Sequence, residues 1–224
     1  STGPDADTCR EVQHAVAAAD AGDHTRAAAI LREALERTTD LRLLYLGFQF
    51  FFRTNDRDQA ERLTRRRLDL LAAANQQHTP AAARAWNNLA LITFFRGDLD
   101  EAERLFRHAL AIDEAAGDTE GIARDLGNLA LIPEKRGDLD QAEALYTRSL
   151  ALDRSINAVP IIDNKLFNLA EIAALRNNPA RAADLFREAH ATYAAMNDPA
   201  GQQRCADSIT ALGDPSTPPS PGST

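Results

Sequence analysis

Apolar residues along this chain recur at helical spacing, and the pattern itself repeats. NNLALITFFRGDLDEAERLFRHALAID (87–113) returns as GNLALIPEKRGDLDQAEALYTRSLALD (127–153) and, more loosely, as FNLAEIAALRNNPARAADLFREAHATY (167–193), at an offset of 40 residues each time. Ala102, Ala142 and Ala182 keep that interval, while Ala60 lies 42 before Ala102 and Ala27 lies 33 before Ala60. Five units therefore cover roughly residues 7 to 196. Within each unit two apolar stripes flank a turn, at Gly22, Asn55, Gly97, Gly137 and Asn177. Each unit is predicted to be a helical hairpin; strand-type alternation does not occur. Thr79 before Pro80 and Asp198 before Pro199 read as helix starts, each an N-cap ahead of a proline at the first helical position.

The repeats set the domain boundaries. Residues 7–212 are expected to form one solenoid, closed by a capping helix over 199–212 with Cys205, Ile209 and Leu212 on one stripe. Residues 1–6 are expected to be flexible, and the Pro/Ser-rich 213–224 disordered, since GDPSTPPSPGST has no apolar side chain to bury. The opening STGPDADT has neither a charged n-region nor an apolar h-region, so no signal peptide is expected in it.

The pattern resembles the tetratricopeptide repeat. Trp86-x2-Leu89-Ala90, then Gly97-Asp98, then Ala102-x3-Phe106 carry the resemblance in the third unit. Leu126, Leu129, Ala130, Gly137, Ala142 and Tyr146 carry it in the fourth, and Leu166, Leu169, Ala170, Ala182 and Phe186 in the fifth. The proline usual at the end of a unit is replaced by Glu114 and Arg154. Forty-residue versions are similar to repeats in bacterial ATPase-linked transcriptional regulators and cell-polarity adaptors. The resemblance implies an all-α, right-handed solenoid of about five hairpins plus a capping helix, with a concave groove that takes a peptide or protein segment. It also implies that small residues such as Ala90 and Ala102 let helices approach while Leu89, Leu105 and Phe106 fill the space between hairpins.

One segment departs from the Ala/Leu norm. LRLLYLGFQFFFR (41–53) holds four of the nine Phe residues. Aligning Arg53 with Arg96 puts Leu43, Leu46, Gly47 and Phe50 on the packing code. Phe48, Phe51 and Phe52 then fall on the opposite side, with Leu91, Phe94 and Phe95 as their counterparts in the next unit. Two readings stay open: neighbouring hairpins cover these rings, or the rings floor an apolar groove.

A polar set lies on the same first helices. Arg84 and Asn88, then Arg124 and Asn128, are four residues apart and share a face; Asn164, Lys165 and Asn168 continue the series, and Leu131 matches Leu91. It resembles the Lys/Arg plus Asn clamp of peptide-binding repeats, which implies an extended ligand of acidic or C-terminal character. The alternative is that these side chains bond neighbouring helices or are solvated. Pro133 cannot donate to the Leu129 carbonyl and should bend its helix.

Composition narrows the rest. A net charge of −8 argues against nucleic acid as partner. Cys9 and Cys205, far apart, with no Asn-x-Ser/Thr acceptor, suit a reducing cytoplasm, and the wealth of Arg and Ala suits a GC-rich bacterial genome. The longest uncharged apolar run, Leu43–Phe52, falls short of the ~20 residues of a membrane span. No phosphate-cradling loop, zincin motif or nucleophile elbow occurs, and the five His are scattered, so no catalytic residue, cofactor or metal is expected. Arg62, Arg65, Arg66 and Arg67 form a basic run expected to lie on a solvated outer face, with an acidic partner or nucleic acid as its other reading. The function expected is a non-catalytic peptide- or protein-binding module, such as the sensor or interaction portion of a larger bacterial regulator; a homo-oligomerisation scaffold or a small-molecule-sensing or enzymatic pocket are the alternatives.

Overall fold

Each helical hairpin forms because its turn is chemically specified on both sides. The computed structural model describes the backbone of residues 4–156 and 159–213, and the side chains of 7–156 and 164–213. At the five turns read from the sequence, Gly22, Asn55, Gly97, Gly137 and Asn177 all have positive φ, the left-handed region that only Gly and Asn enter readily. The next residue then caps the second helix. The carboxylates of Asp23, Asp56, Asp98 and Asp138 and the amide oxygen of Asn178 accept from the backbone N–H three residues on, at 2.9–3.2 Å.

Twelve helices are present among the described residues, in two compact units, Ser1–Ala116 and Gly117–Thr224. The first unit holds three hairpins: α1 (Pro4–Asp20) with α2 (His24–Arg37), α3 (Leu41–Arg53) with α4 (Arg57–Ala73), and α5 (Pro80–Phe95) with α6 (Leu99–Ala116). The second holds α7 (Thr119–Leu129) and α8 (Leu131–Arg136) against α9 (Leu139–Ser155), then α10 (Val159–Leu175) with α11 (Pro179–Ala195), and α12 (Pro199–Ala211) packed on α11. The architecture is all-α. Helix α1 begins at Pro4, inside the stretch expected to be flexible, and the tail beyond Gly213 lies outside the described residues.

The repeat's small residues sit where backbones meet. Ala27, Ala60, Ala102, Ala142 and Ala182 are each 0% exposed, as are Ala90, Ala130 and Ala170. Phe106, Tyr146 and Phe186, four residues after the last three of the first series, are buried beside them. Pro133 acts as its chemistry requires: the first helix of the fourth hairpin breaks at Ala130 into α7 and α8. Two cap expectations divide. Asp198 caps α12 through the N–H groups of Ala200 and Gly201. Thr79 precedes α5 without capping it, because its hydroxyl donates to the Gln76 carbonyl instead.

In α3 the expected faces are corrected. Phe48 and Phe51 belong to the core with Leu31, Leu35, Leu44 and Leu63, Phe51 being 1% exposed. Leu46, assigned to the packing face, is 48% exposed and lines with Phe50 an open cleft beside Val12, Ala15 and Val16 of α1. The reason is physical. A helix apolar on nearly every side carries no stripe of its own, so its neighbours choose the buried face, and the Ala-rich α1 is too small to fill the other.

Candidate functional site

In the second unit, α7, α9 and α10 enclose a concavity of about 280 Å³. Arg124, Asn128, Asn164 and Asn168 supply polar groups, and Leu131, at the break before α8, supplies apolar surface. Five expected site residues, Arg124, Asn128, Leu131, Lys165 and Asn168, thus lie together.

Their charges are largely balanced from within. The Lys165 ammonium is buried and bonded to the Asp153 carboxylate, itself fully buried. Burial pushes the Asp153 carboxyl up from the ordinary carboxylate range, with Lys165 opposing. Lys165 reaches Asp153 by running past Gly127, where a Cβ would come within 2.7 Å of Lys165 Cε and 3.1 Å of Ser149 Oγ. The Arg124 guanidinium donates through Nε to buried Asp125, at 3.0 Å, and keeps 17% of its side chain exposed. Lys165 is therefore a structural cation, and Arg124 is the cation that retains exposed surface here.

The amides are held differently. Tyr146 donates its hydroxyl to Glu134 at 2.6 Å and also hydrogen-bonds Asn168. Burial, and then the Glu134 carboxylate, push the Tyr146 hydroxyl above its ordinary range, so it stays a donor at any physiological pH. Asn164 accepts from the Tyr193 hydroxyl at 3.2 Å through Oδ1, and Tyr193 is gripped in turn by Arg204. Partial burial, then the charge of Glu134, raise the Glu171 carboxyl above its ordinary range.

The remaining expected residues lie in the first unit. Arg84 stacks over Tyr45, its guanidinium carbon 5.8 Å from the ring centre. Asn88 is only 5% exposed, which corrects its expected place on an open face. Phe48 and Phe51 are core. Phe52, Phe94 and Phe95 instead form a contiguous set, with ring centres 5.6 Å apart for Phe52–Phe95 and 5.3 Å for Phe94–Phe95. Arg57 lies 4.2 Å over Phe52 and 5.1 Å over Phe95. Phe95 is 56% exposed, while Phe52, Phe94 and Leu91 are half-buried. Neighbouring hairpins therefore cover Phe48 and Phe51, whereas Phe95 stays exposed.

Two sequence profiles described as tetratricopeptide repeat match residues 81–155 and 128–199, together more than half of the chain. The chain belongs to the tetratricopeptide repeat family. No curated protein matches it. Among solved structures, the repeats are similar to the Rap conjugation gene regulator of plasmid pLS20 in complex with the Phr* peptide. The TM-score is 0.80 at 12% identity, covering 94% of this chain and 60% of that one. They are similar also to aspartyl phosphate phosphatase F of Bacillus subtilis, with a TM-score of 0.78 at 12% identity over 91% of this chain and 55% of that one. A signal-transduction ATPase with a tetratricopeptide repeat sensor from Pyrococcus horikoshii gives 0.66 at 13%, over 90% and 32%. The chain thus spans about a third to three-fifths of these proteins, and at such identities the likeness is one of fold.

Sequence reasoning passed over Tyr146, Gly127 and Asp153 as parts of this face. By its spacing Tyr146 is only the large residue of the packing code, and nothing local links Lys165 to Asp153 on a different helix. Among the described residues no group of three or more His, Cys, Asp or Glu is placed to hold a metal ion, and no helix is long and apolar enough to cross a membrane.

Proposed function

We propose that this repeat protein is a non-catalytic interaction module that takes an extended peptide segment across α7 and α10. One observation carries the reading: Asn128, Asn164 and Asn168 converge with Arg124 on a single concavity of about 280 Å³. An Asn side chain donates and accepts at once, which matches the alternating N–H and C=O groups of an extended backbone, while half-buried surroundings strengthen each bond. Tyr146 and Tyr193 fix two of the amides in advance, which lowers the entropy cost of capture. The solved peptide complex of a similarly folded regulator supports the same use of the fold.

Because Lys165 is spent on Asp153, the acidic or C-terminal preference expected of the ligand rests on Arg124 alone, and backbone recognition through the amides is the stronger element. The module serves in this reading as the interaction or sensor portion of a larger cytoplasmic bacterial regulator, in keeping with the sensor repeats of the ATPase. Selection of displayed random heptapeptides on the immobilised full chain tests it, alongside an Asn128→Ala, Asn164→Ala variant of unchanged helicity. Peptides enriched on the parent and lost on the variant are expected; equal enrichment on both would contradict the reading.

A second reading is favoured by the cleft beside α1. With Val16 and Leu46 each about half exposed on it, this face fits a second copy of the chain. Light scattering at tens of micromolar decides that: a monomer rules it out.

A further inference from the structure

The basic run of α4 does not form the uniformly solvated face that its sequence suggests. Arg67 is buried against Tyr45, 5.3 Å from the ring centre, and Arg66 turns back to the end of α2. There Arg66 Nη1 donates to the carbonyls of Leu35 and Glu36, at 2.6 Å each, so it satisfies the unpaired end of that helix and offsets its negative dipole. Arg32, on α2, is held by Asp56 at 2.8 Å and stacks 5.5 Å over Phe51. Between these two fixed guanidinium groups and Arg62 lies a concavity of about 110 Å³, floored by Leu35, Phe51 and Leu63. Arg62 is exposed and makes no ion pair or hydrogen bond among the described residues.

We propose that this concavity is a binding site for a phosphate group. Three guanidinium groups each present planar forked donors, and Arg66 and Arg32 retain N–H groups beyond those used internally. The opposing charges nearby are Glu36, which is exposed, and Asp56, which is paired with Arg32. Counting also the roughly half negative charge at the end of α2 that Arg66 faces, a local excess of about half a positive charge persists on a chain of net charge −8. The volume equals about four waters at ~30 Å³ each, enough for a tetrahedral oxyanion. Three arginines also match three phosphate oxygens better than the two of a carboxylate. Two arms preorganised by their own contacts, with a third free to close, is the arrangement that loses least entropy on capture.

The test is an amide and guanidinium NMR titration of the full chain with sodium phosphate, at ionic strength held constant with sodium chloride. Saturable shifts at Leu35, Phe51 and Leu63 are expected, weakened at least about fivefold in Arg62→Gln and in Arg32→Gln, with acetate about tenfold weaker than phosphate. A phosphoserine diamide run in parallel separates the sources: tighter binding than inorganic phosphate assigns the group to a partner's side chain, and weaker binding assigns it to the free ion. A response that does not saturate, or one unchanged by both substitutions, or acetate bound as well as phosphate, would overturn the proposal.

Discussion

Arg176 and Glu143 lie 2.7 Å apart, joining the turn of one hairpin to the second helix of the hairpin before it. Arg176 bonds Asp140 as well. Arg96 does the same in the first unit, with Asp58 at 2.7 Å and with Glu61. Each residue of Arg96-Gly97-Asp98 thereby has a structural role. The arginine clamps the preceding hairpin, the glycine takes the left-handed turn and the aspartate caps the next helix.

This clamp predicts a pH dependence. Partial burial pushes the Glu61 carboxyl up, and the hydrogen bonds and charges of Arg96 and Arg65 more than reverse it, leaving it below the ordinary 4.5. A carboxyl held low in the folded chain stabilises it while ionised, and that stability disappears as pH falls through the folded value. Glu61→Gln should therefore cost about 0.5–1 kcal/mol at pH 7. In thermal melts from pH 7 to pH 3, the gap between parent and variant should stay open above 4.5 and close below it.

Gly47 occupies the position at which the later repeats carry Ala90, Ala130 and Ala170. Replacing it with Ala gains up to ~1 kcal/mol of helix propensity. The added Cβ, however, falls on Leu35 Cδ1 and lies 2.8 Å from Leu63 Cδ1 in a packed core. Overpacking of this kind costs about 1–3 kcal/mol, so Gly47→Ala should lower the urea midpoint although it restores the repeat pattern.

Lys165 separates a structural cation from a ligand clamp. Lys165→Met leaves the Asp153 carboxylate buried without its partner and should destabilise the second unit by about 3–5 kcal/mol. Lys165→Met with Asp153→Leu should recover most of that loss in chemical denaturation. A clamp residue would instead lose binding with its stability intact.

How much of this was legible in the sequence differs by residue. The five hairpin turns were readable because Gly or Asn followed by Asp or Asn is a local device, complete within a few residues. The buried alanines were readable because the repeat shows them five times. The faces of α3 were not, since nine of its thirteen residues are Leu, Phe or Tyr and periodicity has nothing to resolve. Lys165 looked like a ladder member from its own helix alone; its partner on α9 is set by packing. The same limit applies to Asn88, whose burial depends on the helices around α5 and not on its spacing from Arg84.

The central claim is that the amides on α7 and α10 hold a peptide backbone, and one affinity comparison tests it most directly. Fluorescence anisotropy would measure Kd for the most enriched displayed heptapeptide on the parent chain, on Asn128→Ala and on Arg62→Gln, the last as a control in the other unit. The account predicts at least about tenfold weaker binding to Asn128→Ala, the equivalent of about 1.4 kcal/mol, and no change for Arg62→Gln. Affinities within twofold for parent and Asn128→Ala would contradict it.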